Sequence, residues 1–260
     1  MKLIFIRHAD PDYLNNTITE KGEREAELLA QRMASWKNIT DIYCSPYGRA
    51  QDTLKPALLK MDRSATTLDW LREFDYHVID PFTKKERSVC WDILPRNLYA
   101  EKKFFDRTKW SSVPYLKKAN IDTYYSQVCY GFDTLLEAYD YTRIDADKAI
   151  YNCLPHLTDQ EAACDSHLLA SQKNLDDRNI VFVCHLGVMF ALIGHLTGIS
   201  PMQLWHGFFV APTSVTVLGT EERVPGEVMF RVQTLGDVSH LTFAGESPSA
   251  SGYFGNVTAF

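Results

Sequence analysis

Residues 2–10 read Lys2-Leu3-Ile4-Phe5-Ile6-Arg7-His8-Ala9-Asp10, an apolar, β-prone run that breaks sharply at a charged pair. The pattern predicts a buried strand opening into a functional loop. Two similar runs lie downstream: Ile39–Cys44, which ends at Ser45-Pro46, and Asn179–Cys184, which ends at His185. Helical stripes alternate with them. Thr19 suits an N-cap with Glu20 and Glu23 in the first turn, and Ala26, Leu29, Ala30 and Met33 follow at i, i+3, i+4, i+7. Leu54, Ala57, Leu58 and Met61 form a second stripe, with Ser45 as its cap, Pro46 at its first position and Pro56 as a kink. A short strand is expected over 66–71, an apolar helix over Val188–Leu196 stopped near Gly198, and closing strands over Ser214–Leu218 and Val228–Thr234. Strands alternating with helices predict an α/β fold around a largely parallel sheet.

Residues 84–176 break that rhythm. They are rich in aromatic residues and lack strand alternation, so they read as a mostly helical insertion over the sheet and the site, between core segments 1–83 and 177–245. Residues 84–118 hold ten Lys and Arg against four Asp and Glu. Two readings stand for this run: a solvated helical face, or cations that reach over a pocket and select an anionic ligand. The tail 246–260, with its Ser, Gly and Pro, reads as loosely ordered.

Composition narrows the function. A formal net charge of −6 argues against broad neutralisation of nucleic-acid phosphates, but leaves room for a small anion in a local basic pocket. The apolar start is too short for a signal-peptide core, and no run reaches a membrane span. Cys44, Cys90, Cys129, Cys153, Cys164 and Cys184 lack CxxC or zinc spacing, which suits reduced thiols in a cytoplasmic protein. His77, His156, His167, His195, His206 and His240 likewise show no metal spacing and read as structural or exposed.

Four segments put Arg, His or Glu at the end of an apolar run: Arg7-His8, Arg49, Glu73 and His185. In an open α/β sheet such loops converge beyond the carboxyl ends of the strands. Two arginines, two histidines and a carboxylate suit phosphoryl transfer. Guanidinium forks match phosphate oxygens, a neutral imidazole can attack phosphorus, and a carboxylic acid can protonate a leaving alkoxide. Asp10 and Asp12 read as loop caps or contacts to substrate hydroxyls, and Tyr13 as a residue at the site's margin.

These motifs resemble the histidine phosphatase superfamily, whose fold is phosphoglycerate mutase-like. Ile6-Arg7-His8-Ala9 resembles its R-H-G signature. Thr19-x-x-Gly22 with Ala26 and Leu29, then Cys44-Ser-Pro-Tyr-Gly-Arg-Ala-x-Asp-Thr53, and Val183-Cys-His-Leu-Gly187 resemble its further motifs. The resemblance covers about residues 2–75 and 179–240. It implies a three-layer α/β/α fold, His8 as the phosphorylated nucleophile, and Arg7, Arg49 and protonated His185 as phosphate ligands. Glu73 falls at the family's place for the proton donor, with Asp75 and Asp69 as alternatives. No metal and no cofactor are implied. Ala9 stands where the family has glycine, which costs roughly 1 kcal/mol if that position needs a positive φ.

The resemblance implies a metal-independent phosphomonoester hydrolase acting on a small phosphorylated metabolite, with inorganic phosphate as product and no nucleic-acid or membrane partner. Two alternatives stay in view: a cofactor-dependent mutase, disfavoured by the short loop from His8 to Thr19, and a non-catalytic binder of phosphorylated ligands. The substrate and any homo-oligomer are left open.

Overall fold

The computed structural model describes residues 1–155, 176–255 and 257. Cys164, His156, His167 and parts of the expected insertion and tail lie outside the described residues. Among the described residues the centre is an eight-stranded sheet. Its strands in chain order are β1 (Lys2–Arg7), β2 (Ile39–Cys44), β3 (Thr66–Thr67), β4 (Thr142–Arg143), β5 (Tyr151–Asn152), β6 (Asn179–Cys184), β7 (Val215–Val224) and β8 (Glu227–Asp237). They lie side by side as β3-β2-β6-β1-β7-β8-β5-β4. The first four in that order run parallel. The β7–β8 hairpin joins β1 antiparallel and carries the two short strands at the far edge.

The two central parallel strands are apolar over Leu3–Ile6 and Ile180–Cys184 because both their faces are covered. Ile4, Ile6, Val181 and Val183 share a core with Leu29, Ala30 and Met33 of helix α1 (Glu20–Ala34) and with Ala50, Leu54 and Ala57 of helix α2 (Gly48–Met61). Leu3, Phe5, Ile180 and Phe182 belong to the opposite core. There they meet Phe132 of helix α3 (Ile121–Glu137) and Val188, Met189 and Leu192 of helix α4 (Leu186–Thr197). The fold is therefore three-layer α/β/α with a parallel centre. Thr19 caps α1 as expected, its hydroxyl accepting from the Gly22 N–H at 3.1 Å.

Three local expectations need correction. Helix α2 starts at Gly48 with Tyr47 at its cap, so Ser45 and Pro46 lie in the loop before it. The strand expected over 66–71 is two residues of β3 followed by a 3-10 turn at Asp69–Leu71, which drops Leu71 into the core. The tail also differs from the loose segment its composition suggests. The Glu25 carboxylate accepts from the Ser249 N–H at 3.1 Å, the Ser249 hydroxyl donates to Asp10, and the Lys21 ammonium donates to the Ser247 carbonyl.

The stretch 84–155 contributes helices Pro95–Ala100 and Pro114–Lys118, 3-10 turns at Lys102–Phe105 and Trp110–Ser112, and α3. It does not form a core of its own. Leu98, Phe104, Trp110, Leu116 and Phe132 join the same apolar cluster as Phe5 and Phe182, and β4 and β5 belong to the main sheet. In its basic run, Arg87 pairs with Asp80 and Asp92, while Arg107 donates to the carbonyls of Ala146 and Asp147. Among the described residues no helix is long and apolar enough to cross a membrane.

Candidate active site

Strand register brings the expected residues together. Arg7 of β1 pairs with Cys184 of β6, and Cys44 of β2 pairs with Val183, so three parallel strands end at one level. The loops leaving them are tied across: the His8 N–H donates to the Cys184 carbonyl and the Ser45 N–H to the Val183 carbonyl, both at 2.9 Å.

His8 is buried, and its Nδ1 lies 2.7 Å from the Ala9 carbonyl oxygen. A carbonyl only accepts, so Nδ1 carries the proton and Nε2 is left with its lone pair. Burial first, then Arg7 and Arg49, hold His8 well below the ordinary imidazole range. Ala9 is not in the left-handed region, so its methyl carries no backbone penalty, and its N–H donates to the Thr53 hydroxyl at 2.8 Å. That hydroxyl in turn donates to the Arg49 carbonyl at 2.6 Å, which couples the His8 loop to the first turn of α2.

The Arg7 guanidinium is anchored from behind. Nη1 donates to the Val210 carbonyl at 2.8 Å and Nη2 to the Ser251 carbonyl at 2.9 Å, while Nε is buried without a partner among the described residues. Arg49 has the same character: Nη1 donates to Asn16 Oδ1 at 3.1 Å, and its buried Nε has no partner. Its guanidinium carbon lies 4.7 Å from the Tyr47 ring and 5.4 Å from the Tyr13 ring. Gly48 beside it is required by crowding, since a Cβ there would fall 2.2 Å from the Asn16 carbonyl oxygen.

His185 faces His8, with ring centroids 5.0 Å apart. Its Nε2 is 2.6 Å from the Ser45 hydroxyl oxygen, and its buried Nδ1 has no partner. Burial, then His8, Arg49 and Arg7, keep its pKa well below the usual value. The protonated His185 expected from the sequence is thus not what the protein's own groups favour; a bound anion would have to supply the balancing charge.

Glu73 lies at the start of α4, where Oε1 accepts from the Phe74 N–H at 2.7 Å and from the Val188 N–H at 3.0 Å. Burial raises its carboxyl pKa against the opposing pull of the Phe74, Gly187 and Val188 backbone donors and of Arg49. Asp75 is exposed, with the Tyr47 hydroxyl 3.5 Å from its oxygens, and Asp69 opens the 3-10 turn. Tyr13 is 61% exposed and its ring stands 6.5 Å from that of His8, at the margin as expected. Asp10 accepts from the hydroxyls of Thr19 and Ser249, and Asp12 accepts from the N–H groups of Leu14 and Asn15; both therefore tie loops.

Sequence reasoning missed several neighbours of this cluster. Tyr47 stands inside a quoted motif without an assigned role and Ser45 reads only as a helix cap, whereas Asn16, Ser251 and Trp91 carry no local signal. Of the other described histidines, His195 lies against Asp133, His77 against Glu86, His240 beside Arg32 and His206 against the backbone of Trp91. Among the described residues no group of three or more His, Cys, Asp or Glu could hold a metal ion.

Residues 3–100 match the family described as histidine phosphatase superfamily (branch 1). No curated protein matches the sequence. Solved structures with the same fold include a phosphoserine phosphatase from Entamoeba histolytica in complex with 3-phosphoglyceric acid, at 19% identity, covering 92% of this chain and 98% of that one, with a TM-score of 0.53. The α-ribazole phosphatase of Shigella flexneri is 17% identical over 91% of this chain and 96% of that one, TM-score 0.53. A mycobacterial glucosyl-3-phosphoglycerate phosphatase is 17% identical over 90% and 98%, TM-score 0.51. At these identities the likeness is one of fold. Residues 3–100 thus carry the match to the histidine phosphatase superfamily, and the chain as a whole shares the fold of these phosphatases.

Proposed function

We propose that the protein is a metal-independent phosphomonoesterase that acts on a small phosphorylated metabolite through a phosphohistidine at His8. The observation that carries this reading is the set of buried nitrogens without partners. Arg7 Nε, Arg49 Nε and His185 Nδ1 belong to the groups that surround His8 electrostatically. Buried donors without acceptors are costly, and a tetrahedral dianion would supply several acceptors at once.

The reaction then runs in two displacements. His8 Nε2 attacks phosphorus, the bond from phosphorus to the ester oxygen breaks, and Glu73 gives its proton to the leaving alkoxide. Arg7, Arg49 and His185 stabilise the charge on the equatorial oxygens, with His185 gaining a proton as the dianion binds. In the second step the Glu73 carboxylate takes a proton from water as it attacks phosphorus. The P–N bond breaks, and inorganic phosphate and free His8 result. The raised pKa of Glu73 and the lone pair left on His8 Nε2 support these roles.

The phosphatases that share the fold act on small phosphorylated metabolites, which supports the same substrate class here. The aromatic stretch 84–155 fits a cap that shapes the leaving-group side. Hydrolysis of p-nitrophenyl phosphate in the presence of EDTA tests the reading: turnover over pH 5–8 is expected. No turnover would leave a binding protein, and phosphate exchange between phosphoglycerates would indicate a mutase.

A further inference from the structure

Trp91 comes from the stretch outside the family motifs, yet it reaches the carboxyl of Glu73. The two groups meet over Gly187, the second residue of α4. A Cβ placed there would lie 2.2 Å from Trp91 Cη2 and 2.5 Å from Glu73 Oε1. The indole rim and the carboxyl oxygen therefore sit side by side over one α-carbon, where only glycine leaves room. The indole is fixed in turn. It stacks on Trp205 at 4.6 Å and on Phe74 at 6.5 Å, and Trp205 Nε1 donates to the Gly187 carbonyl at 3.0 Å. Cys90, next to Trp91, is fully buried.

We propose that Trp91 is a positioning residue for the proton donor: its indole walls the Glu73 carboxyl off from water and holds it against the start of α4. This rests on the reading of Glu73 as the acid. The wall matters because a carboxyl in apolar surroundings keeps its proton to higher pH, as a carboxylic acid that must donate requires. The other groups facing that carboxyl are the guanidiniums of Arg49 and Arg7, the thiols of Cys90 and Cys184, and the N–H groups of Phe74, Gly187 and Val188. The two guanidiniums and the three N–H groups favour the carboxylate. The thiols are buried and neutral, their pKa values pushed up by desolvation. Among these neighbours the indole is the large apolar surface that works against ionisation.

The test compares the pH dependence of kcat/KM for an alkyl phosphate in the wild type, Trp91→Ala, Trp91→Phe and Glu73→Gln. Loss of activity on the alkaline side reports ionisation of the donor. In Trp91→Ala that loss should begin at lower pH, so that the ratio of activity at pH 8 to activity at pH 6 falls about tenfold more than in the wild type. Trp91→Phe, which keeps an aromatic wall, should restore most of it. A uniform drop at all pH values, with the alkaline limb unmoved in both Trp91 variants, would overturn the role of Trp91 and leave it a packing residue. An alkaline limb that persists in Glu73→Gln would overturn the proton-donor reading, and this inference with it. Should Trp91→Ala not fold, the limb in Trp91→Phe and Trp91→Leu decides by the same criterion, with leucine expected to lie between phenylalanine and alanine.

Discussion

His8 Nδ1 donates to the carbonyl oxygen of Ala9, the next residue, at 2.7 Å, and this short contact fixes which nitrogen of the ring can act. The bond commits Nδ1 to its proton and leaves Nε2 with its lone pair, and the His185 ring stands 5.0 Å away, centroid to centroid. Ala9 accepts this bond without entering the left-handed region.

Replacing His8 by alanine should therefore abolish turnover, by at least about a thousandfold, because the acceptor of the phosphoryl group is gone. The fold should persist, since the anchors of the loop are backbone hydrogen bonds that alanine retains. Steady-state rates alongside a thermal melt check both halves.

Glu73→Gln should discriminate between leaving groups. Alkyl esters need a proton on the departing oxygen, whereas p-nitrophenolate does not. Hydrolysis of alkyl phosphates is expected to slow about a hundredfold and that of p-nitrophenyl phosphate far less. Equal slowing would move the acid elsewhere, with Asp75 the first residue to try.

The histidines predict the acid side of the profile. Both His8 and His185 are held well below the ordinary imidazole pKa by burial and by the two arginines. Attack needs neutral His8, so kcat/KM should hold its value as pH falls through the usual histidine range and decline only below it. The same shift has the opposite sign for stability. The unfolded chain binds protons near its ordinary histidine pKa of about 6.5 where the folded chain does not, so the histidines' own contribution to stability decreases as pH drops through that value, against the opposite trend of the raised Glu25 and Glu73 carboxyls. Denaturant melts across pH 5–8 measure this directly.

Gly187→Ala places a methyl where Trp91 and the Glu73 carboxyl already sit. Overpacking of this kind costs about 1–3 kcal/mol. A lowered midpoint of denaturation should accompany a loss of activity toward alkyl esters that exceeds the loss toward aryl esters, because the carboxyl must yield. Unchanged stability and selectivity would contradict the crowding described here.

Removing residues 248–260 takes away the Ser251 carbonyl that receives Arg7 Nη2 and the Ser249 N–H received by Glu25. Arg7 would keep one of its two anchors, the bond from Nη1 to the Val210 carbonyl, and KM should rise about tenfold with a smaller change in kcat. Isothermal titration with inorganic phosphate gives an independent reading of the same loss.

Much of the fold could be read from the sequence because its strands are covered on both faces. A strand such as Leu3–Ile6 or Ile180–Val183 then has no polar alternation to blur it, and its end is marked by the first charged residue. Arg7, His8, Arg49, Glu73 and His185 were legible for that reason: each lies where an apolar run stops or just beyond. What could not be read depends on distant partners. Ser45-Pro46 has the composition of a helix start, but the Ser45 hydroxyl is committed to His185, 140 positions away, and the helix begins three residues later. The composition of the tail reads as loosely ordered, whereas Ser249 is held by Glu25 and Asp10, more than 220 positions away. Trp91 is one aromatic residue among many, and its direction is decided by stacking on Trp205.

The central claim is a covalent bond between phosphorus and His8 Nε2. Mixing the enzyme with a ³²P-labelled substrate, quenching within milliseconds and digesting the chain tests it most directly. The account predicts label on the peptide containing His8, stable to base and lost in acid, and absent from His8→Ala. Label on another residue, or undiminished turnover by His8→Ala, would contradict it.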